Sequence, residues 1–598
     1  MKQGMLSFVI VITLTFLFFT AINQIKLPYY ETIHRLSTLK TLSFTLISEE
    51  LDRNLTGLLL FLSILLSIIT FTLKLNKEQV KKFWIPTAFG LASLLFFASN
   101  HLILSLLSFS IFALTYHKLK NQLWNLLNNC LLFLIIVEAL SAIRWTTYPI
   151  FYSPMYSDIT WTFSKLDSFL FYSFNTTLGS FAILLFIFSF PLSILPFIRV
   201  KIQGKKLLIT IHKTRENNDL KISINEKLAL ASSFLILLYL SYYAYLPSLN
   251  PEGKPVSVDL VFYKEYLEKF KALGFNQNGF TYLLQDTGGG RATIVLLTYI
   301  VNIFLQDTAE AIKFSYFLAS YLLVLSTYIS LKTTTKNKKL ATTSVYFSTF
   351  SIQTVVGLYA GYLANWIAIS LLLLSLTCFS MAFKEKKYII PSILFSALAL
   401  FSHPWSWTIT ILAVLLLLPL NHLLAKLKLR KTYNKQEALL ILGFFLANLV
   451  LDTAKQNLLN SLGGAHADYT ITVTTFSPTN IFTIERNLHY LTQILVGGYT
   501  TNILIFLAST IGATQLLKYE DPFFDTLYLI LPIAATPFIF VDATTQSRLI
   551  YFLPTNIYTT LGTHKILTKL EEKTQNKAFL LAILHQLNYT LRSTANLV

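Results

Sequence analysis

Asp259, Tyr263, Tyr266 and Phe270 recur at i, i+4, i+7 and i+11 in "VSVDLVFYKEYLEKF" and therefore share one face of a helix. Lys264, Glu265, Glu268, Lys269 and Lys271 cover much of the remaining surface, so the aspartate sits with the aromatic residues and apart from the charges. Two readings fit this carboxylate. In the first, Asp259 occupies the first turn, where a negative charge interacts favourably with the helix dipole by about 0.3–1 kcal/mol. In the second, a partly desolvated carboxylate beside tyrosines accepts a proton or binds a substrate, as general bases do. The turn-forming "NPEGKP" precedes the segment, with Ser257 the expected N-cap and Gly274 the expected stop.

The elements that must position this face are apolar. Of 598 residues 54% are hydrophobic, 49 are Phe and 31 Tyr, and only 13% are charged, against about 25% in soluble domains. Mean hydropathy is +0.57. Apolar runs of roughly 17–25 residues recur along almost the whole chain, each long enough to cross a hydrocarbon core as a helix. The expected fold class is an all-α polytopic membrane protein with about 16 transmembrane helices. The formal charge of +19 comes from short basic clusters between apolar runs. These read as topology signals and not as a nucleic-acid surface. Cys130 and Cys378 both lie inside apolar runs, which excludes a disulfide framework.

A consistent path places "KLNKEQVKK", "HKLK" and "RVKIQGKK" in the cytoplasm. The N-terminal "MLSFVIVITLTFLFF" is read as a retained first span, followed by spans near 55–75, 83–99, 102–117, 122–143 and 169–198. These form an N-terminal six-span module, 1–198, of unassigned role. A basic cytoplasmic linker, 199–227, follows; its alternating residues suit a small hairpin. The membrane core covers 228–565, with spans near 228–247, 309–332, 341–358, 362–383, 388–403, 404–424, 437–456, 498–516, 522–541 and 549–563. "RATIVLLTYIVNIFL" (291–305) is read as a helix in the outer leaflet, because counting it as a span would turn "KTTTKNKK", "KEKK" and "KLKLRK" outward. The tail, 566–598, is expected in the cytoplasm with an amphipathic helix at 577–591, and both termini are then cytoplasmic. The two largest later loops, 248–308 and 457–497, are external on this path.

An external Asp followed by Tyr four residues later on an interfacial helix, then a second interfacial helix, then alternating spans, resembles the GT-C superfamily of membrane glycosyltransferases. The resemblance covers about residues 228–565 and rests on "VDLVFY" (258–263), "GGGRATIVLLTYIVN" (288–302), "GLYAGYLANWIAISLLLLSL" (357–376), "ALALFSHPWSW" (397–407) and "SRLIYFLP" (547–554). It implies a GT-C-like core with interfacial helices in its first external loop. It also implies transfer of a sugar from a polyprenyl-phosphate-linked donor to a protein, glycan or lipid acceptor at the outer membrane face of the cell. In such enzymes an aspartate of this loop activates the acceptor, a role that falls here to Asp259. The leaving phosphate needs cations or donors, and Arg291, His403 and Arg548 map to outer span ends. Tyr263 and Tyr266 shape the sugar pocket or anchor the helix. Some family members carry a second acid beside the first; Leu260 stands there in this chain. No divalent metal and no other cofactor is therefore expected.

Other motifs carry less. "QDTGGGR" lacks the Gly-Lys-Ser/Thr ending of a phosphate loop and reads as a flexible turn before Arg291. Arg548 and His403 also fit span-end anchors in an aromatic belt. Tyr359, Tyr362 and Asn365 mark an external turn, and His466 with Asp468 is too sparse for a metal site. Glu138 and Arg144, in the fifth span, read as charges paired within the protein. Sequons at Asn54, Asn175 and Asn588 fall where modification is not expected. The competing functional classes are a lipid or polysaccharide flippase or transporter, and a non-catalytic scaffold. Spans nearly free of charge weigh against ion-coupled transport.

Overall fold

The computed structural model describes residues 120–147, 186–203, 206–211, 220–222, 224–462 (apart from 254, 255, 257, 258, 288, 361 and 362), 502–535 and 553–595, together with 164 and 167. The expected spans at 6–24, 55–75, 83–99 and 102–117 lie outside the described residues, as do most of 169–198, the loop 463–501 and Arg548. The chain divides into two compact units, Met1–Ser173 with Lys577–His585, and Phe174–Asn576 with Gln586–Val598.

In the first unit α1, Lys120–Thr147, covers the expected fifth span. In the second, strands β1 (Ile198–Gln203) and β2 (Lys206–Ile211) pair antiparallel, with Ile198 opposite Ile211 and Gln203 opposite Lys206. This is the hairpin expected in the basic linker. The rest is helical: α2 (Glu226–Tyr243), α3 (Leu260–Leu273), α4 (Gln277–Gln285), α5 (Ala292–Leu305) and α6 (Thr308–Thr335). Then come α7 (Lys338–Thr349), α8 (Ile352–Ala360), α9 (Leu363–Ala382), α10 (Ile389–Leu400), α11 (Pro404–Leu415), α12 (Leu417–Lys426) and α13 (Lys435–Ser461). The last four are α14 (Ile503–Ala513), α15 (Pro522–Ala535), α16 (Thr555–Leu567) and α17 (Glu572–Ala595).

Among the described residues four helical runs are long and apolar enough to cross a membrane: Thr308–Thr335, Leu363–Ala382, Pro404–Lys426 and Lys435–Ser461. Helix α5 has 14 residues, about 21 Å at 1.5 Å per residue, short of the roughly 30 Å hydrocarbon core. Pro522–Ala535, of the same length, is likewise a short apolar helix.

Polar side chains punctuate the helices. Asn225, Asn276, Asp307, Asn337 and Asn434 each cap a helix N-terminus through the side chain, Asn434 in a capping box with Glu437. Two expected single spans are broken. The run at 341–358 divides between α7 and α8, where the Ser351 hydroxyl takes the Thr354 amide at 3.2 Å and Thr354 Oγ1 donates to the Ser348 carbonyl at 3.1 Å. Such side-chain bonds compete with the helical ladder. The run at 404–424 kinks between α11 and α12, because Pro419 has no amide and its ring crowds the carbonyl of Leu415, four residues back.

Inside the bundle, apolar packing is tied by hydroxyl and amide bonds. Thr377 of α9 donates to Ser330 of α6 at 2.7 Å, and Asn556 of α16 donates to Thr327 of α6 at 2.7 Å and to Ser348 of α7 at 2.9 Å. Helices α14 and α16 cross in backbone contact: a Cβ at Gly512 would strike the Tyr558 carbonyl, and one at Gly562 would strike the Ala508 carbonyl. Small residues give membrane helices this close approach. The helix expected at 577–591 falls within α17, Glu572–Ala595. His585, Asn588, Tyr589 and Arg592 of α17 are all buried.

Candidate active site

Helix α3 begins at Leu260 with Asp259 as its N-cap residue, two residues later than the expected start; Ser257 lies outside the described residues. The Asp259 side chain makes no capping bond to its own helix. Gly274 ends the helix at φ 78°, a left-handed value that suits glycine. Leu260, Tyr263, Leu267 and Phe270 form the buried face, and Tyr266 is half-buried at its margin. Phe270 packs edge-on against Tyr299 of α5 at 4.9 Å between ring centroids, and also meets Phe275 and Phe280. This aromatic cluster fixes α3, α4 and α5 against one another. Val261, Phe262, Ile300, Ile303 and Phe304 are exposed on α3 and α5.

The fold brings three of the expected site residues together. Arg291, at the N-cap position of α5, sets Nη1 3.8 Å from Asp259 Oδ2 and donates from the same nitrogen to the Tyr263 hydroxyl at 2.8 Å. Its guanidinium carbon also stands 5.4 Å from the Tyr263 ring centroid. The Ala364 amide, at the N-terminus of α9, donates to the same hydroxyl at 3.2 Å. Tyr263 is 2% exposed, and burial raises its pKa above the ordinary value. The hydroxyl therefore stays protonated and holds Arg291 as a neutral acceptor. The Asp259 and Arg291 side chains keep 21% and 37% of their surface exposed, so both reach solvent or a ligand. The remaining amides at the α9 N-terminus add partial positive charge beside them.

A further wall comes from the corner between α10 and α11. Thr293 N donates to the Phe401 carbonyl at 3.3 Å, and a Cβ on Gly290 would stand 3.4 Å from the Pro404 ring. His403 occupies this corner as the N-cap of α11, with Nδ1 taking the Ser406 amide at 3.3 Å and lying 2.8 Å from its hydroxyl. Proline follows at N1. His403 thus serves to cap a helix beside the loop that carries Arg291.

One residue at this wall was absent from the sequence reading. Lys455, near the end of α13, is 2% exposed and directs Nζ to the Leu400 carbonyl at 3.2 Å, over the Phe401 ring at 5.4 Å. Its Cε would stand 2.9 Å from a Cβ on Gly289, whose φ of 61° lets the "GGGR" loop pass close. The buried positions of α13 are Ile441, Phe444, Asn448, Lys455 and Leu459, one helical stripe. The lysine therefore faces inward and does not snorkel to lipid. No carboxylate pairs with it at salt-bridge distance among the described residues. The available signal was a lysine inside an apolar run.

No protein-family model and no curated protein matches the chain. The functional reading rests on the residues and their geometry. Of the other positions singled out in the sequence, Asn365 is buried beside this site at the start of α9 and Asn588 is fully buried. Tyr362, His466, Asp468, Asn54, Asn175 and Arg548 lie outside the described residues.

Proposed function

We propose that the chain is an integral membrane glycosyltransferase of GT-C type, acting at the outer face on a polyprenyl-phosphate-linked sugar. The observation that carries this reading is a solvent-reachable carboxylate, Asp259, held 3.8 Å from the Arg291 guanidinium at the start of an interfacial helix. At that spacing the guanidinium pairs with the carboxylate electrostatically, without a direct hydrogen bond. Asp259 takes the proton of the acceptor nucleophile as that atom bonds to the anomeric carbon. The bond from the anomeric carbon to the donor phosphate oxygen breaks, and the phosphate leaves with the electron pair. Arg291, the α9 N-terminus and Lys455 supply the positive charge that meets it; Arg548 is assigned to the same phosphate. Tyr266 borders the sugar pocket, and His403 supports its wall. Both termini are placed in the cytoplasm.

The test is turnover by the purified full-length protein in detergent, with radiolabelled polyprenyl-phosphate hexoses and release of polyprenyl phosphate as the readout. Asp259→Asn is expected to lower release by about 10²–10⁴-fold while the protein remains folded. Absence of release from wild type with every donor, or equal release from the variant, counts against the reading. A lipid or polysaccharide flippase is the second reading, favoured by the buried Glu138–His585 pair, since ionisable groups inside helices mark ion-coupled paths. A flippase moves lipid between leaflets of a vesicle but releases nothing in detergent.

A further inference from the structure

The first unit contains a side-chain cluster that the transfer reaction does not use. Glu138 of α1 sets Oε1 2.7 Å from Nδ1 of His585, on α17. Ser141, one turn along α1, donates to Asp167 Oδ2 at 3.1 Å. One ligand atom from each of Glu138, Asp167 and His585 lies within 4.8 Å of the others. Glu138 and Asp167 are 0% exposed and His585 is 5% exposed. Two carboxylates and an imidazole have thus been gathered, fully buried, from sequence positions as far apart as 138 and 585.

We propose that Glu138, Asp167 and His585 bind a first-row divalent transition-metal ion that fastens the C-terminal helix to α1. Charge is the first argument. With His585 neutral the trio carries two buried negative charges, and burying an ion costs several kcal/mol unless opposite charge accompanies it. A divalent cation neutralises both. Arg144, buried one turn beyond Ser141, lies on the same helix.

Donor chemistry is the second argument. An imidazole nitrogen with carboxylate oxygens suits zinc or manganese, whereas calcium takes about six to eight oxygens and magnesium retains its waters. Bond lengths of about 2.0–2.2 Å place tetrahedral ligand atoms roughly 3.4 Å apart. The 2.7 Å contact between Glu138 and His585 must open slightly, and any pair near the 4.8 Å limit must close by side-chain rotation. Binding needs a lone pair on the neutral imidazole, so where Nδ1 is the ligand its proton moves to Nε2 and the contact with Glu138 gives way to the metal. The Ser141 hydroxyl then orients Asp167 from outside the ligand set.

The test uses full-length protein purified without a polyhistidine tag, stripped with a chelator and titrated with Zn²⁺ or Mn²⁺, with Mg²⁺ as the control. Elemental analysis after desalting is expected to find about one retained equivalent of Zn²⁺ or Mn²⁺, and X-ray absorption to show one imidazole with oxygen ligands. Ser141→Ala, which keeps all three ligands, is expected to weaken binding by about 10–100-fold. His585→Ala and Glu138→Gln are expected to abolish it. Wild type that retains no equivalent overturns the proposal. So does an absorption spectrum without imidazole, or an equivalent that survives His585→Ala. If the ligand variants do not fold, the wild-type spectrum and Ser141→Ala still decide.

Discussion

Arg291 Nη1 donates to the Tyr263 hydroxyl at 2.8 Å while standing 3.8 Å from Asp259 Oδ2. A neutral phenol therefore holds the cation beside the carboxylate. Because the same hydroxyl takes the Ala364 amide, one oxygen sets the relative positions of α3, α5 and α9.

Tyr263→Phe removes that oxygen and leaves a buried amide and part of a guanidinium without their acceptor. A loss of stability of about 1–3 kcal/mol is expected, read as a lower thermal unfolding midpoint in detergent. Turnover is expected to fall as well, with donor KM rising because Arg291 is no longer held. An unchanged midpoint would show that the hydroxyl carries no structural load.

Lys455→Leu separates stability from activity. Replacing this inward charge, which donates to the Leu400 carbonyl and lies over the Phe401 ring, by an apolar residue of similar length is expected to leave the unfolding midpoint equal or higher. Donor binding is expected to weaken, about tenfold or more for loss of a charge-assisted phosphate contact. Lys455→Arg, with a wider head beside Gly289, is expected to restore binding only in part. Loss of stability together with unchanged binding in Lys455→Leu would give the lysine a structural role.

Glu226 provides a pH-dependent contact at the start of α2. Its carboxylate meets Lys332 at 2.6 Å and Lys338 at 2.7 Å, and it accepts from Tyr328. The hydrogen bonds from these lysines hold its pKa below the ordinary 4.5. A lowered folded pKa means the contribution is complete above pH 4.5 and lost as pH falls through the folded value. Thermal unfolding midpoints measured from pH 6 downward are expected to drop in the acid range, and Glu226→Gln to flatten that part of the curve. Parallel curves for the two proteins would remove Glu226 as a source of the acid sensitivity.

Gly512→Ala and Gly562→Ala each place a methyl group against a carbonyl of the facing helix. Overpacking of this kind costs typically about 1–3 kcal/mol, and both variants are expected to unfold at lower temperature. Gly443→Ala, where a Cβ meets nothing within 4 Å, is the matched control. It is expected to be neutral or slightly stabilising by helix propensity.

Helix positions were largely legible in the sequence because apolar run length is a local property. The expected span at 309–332 became Thr308–Thr335, and that at 362–383 became Leu363–Ala382. The breaks at Ser351 and after Leu415 were missed, since a continuous apolar run conceals a kink unless its hydroxyls and Pro419 are weighed separately. Asp259, Tyr263 and Arg291 were found because they lie within 33 residues of sequence and share one loop. Lys455 reaches a carbonyl 55 residues away and Glu138 an imidazole 447 away. No local pattern encodes such partners. For α17, no local pattern in the sequence marked His585, Asn588, Tyr589 and Arg592 as buried.

The crossing of α14 and α16 has a mechanical meaning. Two backbones that touch at both Gly512 and Gly562, with Ser509 bonded to Thr559 at 2.8 Å between them, have no side-chain cushion over which to slide. They form a fixed pillar, and any opening of the helical core must be hinged on other helices.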